Sequence, residues 1–137
     1  MFNIVRTAML AATFCTVSSF IQAQEAQIKI TSDAPILTMV NVLSPAKGMQ
    51  DATIVQLQKA LDTILVNQPG FISGSIHRSL DSEHIVNYAQ WENQESLMAF
   101  VAKLQSGGAP EMAKVFSMAQ PDFHPYAVVS IHVPARQ

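Results

Sequence analysis

The segment "HIVNYAQWEN", residues 84–93, carries Asn87 and, four positions later, Trp91, the single tryptophan of the chain. In a strand, side chains four apart share one face. The spacing therefore sets a carboxamide and an indole N–H on one side of an otherwise largely apolar run. Both are hydrogen-bond donors, and buried polar groups need partners. Two readings follow. Either the groups bond to neighbouring backbone at the strand end, or they face a space where a ligand supplies the partner. His77 joins them in one hairpin register. The link "LDSE" (80–83) contains no glycine or asparagine, so a tight two-residue turn is disfavoured. A loop of Asp81, Ser82 and Glu83 pairs Leu80 with His84. It sets His77 opposite Asn87, Ser75 opposite Ala89 and Ser73 opposite Trp91; a slip of one residue sends His77 to the other face. In this register the small Ser73, Ser75 and Ala89 leave a space, and His77, Asn87 and Trp91 supply polar groups at its walls. That is the make-up of a small-molecule pocket.

Other familiar chemistry is missing from the sequence. It contains no Gly-rich phosphate loop, dinucleotide fingerprint, HExxH, G-x-S-x-G or calcium loop. Four histidines occur, and no two share a helix at ligand spacing. His84, His124 and His132 read as surface or strand-end residues, and no metal site is expected. The balance of 10 acidic against 8 basic residues includes no basic run, which excludes nucleic acid as an expected partner.

The elements that must position these residues follow from periodicity. "PILTMVNVL" (35–43) is β-branched and apolar, a first strand. Ile54, Leu57, Leu61, Ile64 and Leu65 recur at helical spacing, and "NQPG" (67–70) ends that helix. "FISGSIHRS" (71–79) and "HIVNYAQW" (84–91) form the hairpin. Asn93 offers an N-cap oxygen to a helix with Leu97, Phe100, Val101 and Leu104 along one stripe, ended by Gly107 and Gly108. Pro110 opens a short helix with Met112, Val115 and Phe116 inward. "YAVVSIHV" (126–133) is read as the last strand. The order β-α-β-β-α-β is the ferredoxin-like arrangement of the α+β class, with both helices on one face of a four-stranded antiparallel sheet. Adjacent apolar pairs such as Ile36/Leu37, Ile85/Val86 and Val128/Val129 put apolar residues on both faces. A second copy packed sheet to sheet is the expected cover for the other face, giving a homodimer built as an α+β barrel.

The N-terminus reads as a targeting segment. Arg6, the apolar stretch from Ala8 to Ile21 and "IQAQ" (21–24) match a secretory signal cut after Ala23. The expected organisation is a signal peptide over 1–23, an extended leader over 24–34 and one domain over 35–137. The protein is expected to be secreted or periplasmic, with no stable membrane association after cleavage. The single cysteine, Cys15, lies inside the signal, so no disulfide or thiolate chemistry is expected in the mature chain.

"NQPGF" (67–71), "HRSLD" (77–81) and "VNYAQWEN" (86–93), in this order between two helices, resemble the antibiotic biosynthesis monooxygenase family. The resemblance covers roughly residues 36–133. It implies a dimeric α+β barrel and points to oxygenation of anthrones and quinols without metal or flavin, so no cofactor is expected. By the same resemblance Asn87, Trp91 and His77 match pocket residues of the cofactor-free oxygenases. A polycyclic phenol or quinol that loses a proton is electron-rich enough to reduce O₂ directly. Asn87 and Trp91 would donate to its oxyanion where water is excluded, and His77 would accept the proton. Two features depart from the pattern: Leu97 stands near an expected tyrosine, and no arginine lies between Arg78 and Arg136. They favour a second reading, a non-catalytic binder of small aromatic molecules. A third reading is haem handling, as in the haem-degrading branch; it lacks its helix histidine, since residues 94–119 contain none.

Overall fold

The structure is a computed structural model and describes residues 29–32 and 35–135. The expected signal peptide and most of the leader lie outside these residues. Strand β1 (Leu37–Pro45) leads into helix α1 (Gln50–Thr63) and a short 3-10 turn (Leu65–Asn67). Strands β2 (Phe71–Arg78) and β3 (Ile85–Trp91) form the hairpin. Helices α2 (Gln94–Gln105) and α3 (Pro110–Met118) precede strand β4 (Ala119–Tyr126). The sheet order is β2-β3-β1-β4, antiparallel throughout. This is the expected ferredoxin-like α+β arrangement with one extra short helix.

Local chemistry places the helices. Asn93 caps α2 by accepting from the Ser96 N–H at 2.9 Å, and Pro110 takes the first turn of α3. Gly70 has a φ of +75°, and a Cβ there would collide with the Ser96 side chain. Only glycine lets the start of α2 come so close to the turn before β2. The Glu92 N–H donates to the Gly70 carbonyl at 2.8 Å, fixing the same corner. On α1, Gln56 donates to the Glu111 carboxylate at 2.7 Å and Lys59 pairs with it at 2.8 Å, tying α1 to α3. Lys59 first and then Gln56 hold the Glu111 carboxyl below its ordinary range.

Leu43, Leu57, Leu65, Ile85, Trp91 and Val115 are fully buried between the sheet and the helices. Along β3, the buried residues Ile85, Asn87 and Ala89 alternate with half-buried Val86 and Tyr88. The second set, with Val40 and Val42 of β1, lies on the face away from the helices. At one end of that outer face, Gln90 donates to the Lys29 carbonyl at 3.0 Å and accepts from the Ser73 hydroxyl at 3.0 Å.

Two expectations are corrected. The last strand is 119–126, not 126–133. "AQPDFHPY" contains two prolines, which read as interruptions. β4 is an edge strand, however, where a missing N–H is tolerated on the open side. Pro121 and Pro125 share one parity, which leaves the residues between them to pair with β1. Residues 127–135 form no regular element; Val129, Ile131 and Val133 are exposed, Val129 at 92%, and Val128 is half-buried.

The second correction concerns the hairpin. Arg78 pairs with Ile85, His77 with Val86 and Ile76 with Asn87, one residue away from the expected register. The loop holds four residues rather than three. The Ser79 N–H donates to the His84 carbonyl at 3.0 Å, the His84 N–H donates to the Ser79 hydroxyl at 2.8 Å, and Ser82 takes a φ of +65°. Asp81 Oδ1 accepts from the Ser79 hydroxyl at 2.6 Å and from the Glu83 N–H at 3.0 Å. Gln50, the first residue of α1, donates to the His84 carbonyl at 2.9 Å and to the Ser79 carbonyl at 3.3 Å, clamping both ends. Short polar side chains thus do the work for which a glycine was sought.

Candidate active site

A cavity lies between the helix-covered face of the sheet and helices α2 and α3. Its floor is Met39 and Asn41 of β1 with Asn87 of β3. Its walls include Leu97, Phe100 and Leu104 of α2, Met112 and Phe116 of α3, and Phe123 of β4. The cavity volume is about 40 Å³, enough for a few waters at most and too little for a fused ring system as it stands. Four of the wall residues are phenylalanine or methionine, side chains that can repack around a guest.

The floor is the unusual part. Asn41 and Asn87 pair directly across β1 and β3, and both are almost completely buried, at 4% and 1% exposure. Among the described residues, neither Oδ1 has a hydrogen-bond partner. A buried acceptor left unpaired costs about 1–3 kcal/mol, so two side by side in an apolar hollow form a place that favours a hydrogen-bond donor. Asn41 escaped the sequence reading. Its signal was a lone carboxamide in the middle of an apolar strand, "PILTMVNVL".

Trp91 lies on the same sheet face as Asn87, four residues along, or about 13 Å in an extended strand. It is fully buried but forms no part of the cavity wall. Phe100 stands between them. It stacks on the indole with centroids 5.6 Å apart at 26°, and it also lines the cavity. Phe71 closes the other side edge-on at 5.4 Å. The indole Nε1 has no partner among the described residues, so the backbone-bonding reading of Trp91 does not hold in this arrangement.

His77 is not brought to this site. Paired with Val86, it is on the outer face, exposed, with its Nε2 2.8 Å from the Ser75 hydroxyl. The one-residue shift in the hairpin is the whole reason. His84, with Asp81 and Glu83, sits on the hairpin loop, where their ligand atoms lie within 4.8 Å of one another. Asp81 there is occupied by Ser79 and the Glu83 N–H, whose hydrogen bonds hold its carboxyl below the ordinary range. His124 pairs with Asp122 at 3.0 Å on the exposed side of β4.

The comparisons agree with the fold. The antibiotic biosynthesis monooxygenase family model matches residues 36–109. The chain is 33% identical over 73 residues to the tetracenomycin-F1 monooxygenase of Streptomyces glaucescens, covering 53% of this chain and 65% of that relative's length. Among solved structures it superposes on SnoaB, a cofactor-independent oxygenase from Streptomyces nogalater. The TM-score there is 0.62 at 19% identity, over 74% of this chain and all of that one. It also superposes on the ActVA-Orf6 monooxygenase of Streptomyces coelicolor in complex with nanaomycin D. That match has a TM-score of 0.54 at 20% identity, over 74% of this chain and 94% of that one. With an apolar cavity floored by two amides, this fold and a family match over more than half its length, the chain belongs to the antibiotic biosynthesis monooxygenase family.

Proposed function

We propose that the protein is a monooxygenase that oxidises a quinol, an anthrone or a similar polyphenol with O₂, using neither metal nor flavin. The observation that carries this reading is the Asn41–Asn87 pair. Two unpaired amide oxygens in an otherwise apolar cavity select a flat apolar molecule bearing a hydroxyl donor. Each amide also offers Nδ2 hydrogens, which stabilise the oxyanion once that hydroxyl ionises. The relatives named for monooxygenase activity support the same class of reaction. The guest enters by displacing Phe100 and the methionines, which would open the cavity toward the unpaired indole N–H of Trp91. His77 takes no part in this protomer's cavity.

The protein is further proposed to be exported, by the signal pattern of residues 1–23, and to dimerise through the outer sheet face. Val40, Val42 and Val86 lie there only half-buried and uncovered by helices. Intact-mass analysis of exported protein tests the first point, where a chain still starting at Met1 contradicts it. Oxygen uptake with hydroquinones and anthrones tests the activity. Tight binding without uptake would favour the second reading, an aromatic-ligand binder, which the apolar Leu97 on the cavity wall suits.

A further inference from the structure

We propose that Met39 is a site of self-inflicted oxidation, its thioether taking one oxygen atom from an organic hydroperoxide formed in the cavity. The inference rests on the oxygenase reading above. Asn41 with Asn87, Met39 with Ala89 and Leu37 with Trp91 are successive cross-strand pairs of β1 and β3. All three share the helix-covered face, and side chains two apart on a strand are spaced by about 7 Å. Met39 therefore occupies the floor between the amide pair and the indole. It is buried and lines the cavity, and its cross-strand partner Ala89 offers only a methyl group. A ring whose oxygen is held by the amides, and which extends toward Trp91 as Phe100 moves, lies across this thioether. A thioether is soft and polarisable, and its sulfoxide is a common oxidative lesion.

The step balances. The ionised carbon of an anthrone forms a C–O bond with O₂, and protonation gives the hydroperoxide R₂CHOOH. Loss of water from it leaves the ketone R₂C=O, the productive outcome. In the diverted outcome a sulfur lone pair attacks the outer peroxide oxygen. The S–O bond forms as the O–O bond breaks, and the hydroperoxide proton passes to the departing oxygen. The products are methionine sulfoxide and the alcohol R₂CHOH. Sulfur gives up two electrons, and the peroxide bond accepts them.

Oxidation turns a flexible apolar side chain into a polar, chiral one. Here the new oxygen enters a cavity of about 40 Å³, at the place where the ring must lie. Each such event silences one protomer, so activity falls with turnovers rather than with time. Burial makes the site selective. Met49 and Met98 are exposed, and peroxide free in solution reaches them first.

The test supplies the mature protein with an anthrone and isotopically labelled O₂, with catalase present, and maps the peptides by mass spectrometry. The expected result is labelled sulfoxide at Met39, rising with the number of turnovers and in excess over Met49 and Met98. Hydrogen peroxide added without anthrone or catalase should reverse that order. Met39→Leu, a volume-conserving exchange, should raise the total turnovers before inactivation severalfold, whatever its initial rate. Met39 that stays unlabelled while O₂ is consumed, or label at Met49 and Met98 in excess over Met39, overturns the inference and leaves the oxygenase reading intact. No consumption overturns the oxygenase reading and this inference with it.

Discussion

Asn41 and Asn87 face each other across β1 and β3, each nearly inaccessible to solvent and each with an amide oxygen that no other group among the described residues satisfies. A fold does not need such a pair. Replacing buried unsatisfied polar groups with apolar ones of similar shape is neutral to stabilising. Asn41→Leu and Asn87→Leu should therefore each raise Tm by a few degrees while abolishing activity, the trade expected where function opposes stability. Thermal unfolding and O₂ uptake on the same samples check this. A drop in Tm for both would show that the amides are structural.

Trp91 should separate packing from chemistry. Trp91→Ala removes a fully buried ring clasped by Phe71 and Phe100 and should cost about 3–5 kcal/mol. Trp91→Phe keeps a ring but loses the unpaired N–H. It should lower kcat more than it weakens aromatic binding, if that N–H reaches the guest once Phe100 moves. Equal kcat in wild type and Trp91→Phe would leave the indole as core alone.

The hairpin should respond to acid through Asp81. Its carboxyl is held low by the Ser79 hydroxyl and then by the Glu83 N–H. A depressed folded pKa means that the stabilisation is complete above the ordinary carboxylate range and is lost as pH falls through the lowered value. Hydrogen exchange at the Glu83 amide should therefore show protection at pH 6 to 7 that Asp81→Ala removes. Identical exchange in both proteins would contradict this.

The outer face should join two copies. Val86→Asp places a charge on its half-buried surface, and an unpaired charge is costly to bury. Sedimentation should show a wild-type dimer and a monomeric or unfolded variant. A wild-type monomer at micromolar concentration would contradict the proposed dimer.

The fold was legible in the sequence wherever a strong period met a clear stop. The α2 stripe of Leu97, Phe100 and Leu104 with its Asn93 cap stands as read. The last strand was misread because "YAVVSIHV" has the better β composition. The true strand carries prolines that only its edge position excuses. Asn87 was found because it stands out beside a tryptophan. Asn41 lines the same cavity, but its partner lies 46 positions away, and only the β1–β3 register brings the two together. His77 was lost through a one-residue slip, decided by the Ser79, Asp81 and Gln50 hydrogen bonds that no periodicity encodes.

The central claim is that two amides in an apolar cavity suffice to present an ionised aromatic to O₂. It is tested most directly by O₂ consumption with an anthrone, comparing metal-stripped wild type with Asn41→Ala and Asn87→Ala. The account predicts full activity in the stripped wild type and a loss of about a hundredfold for each variant, the size seen when one oxyanion donor is removed. Equal rates in all three proteins, or a wild-type rate abolished by chelation and restored by a metal, would contradict it.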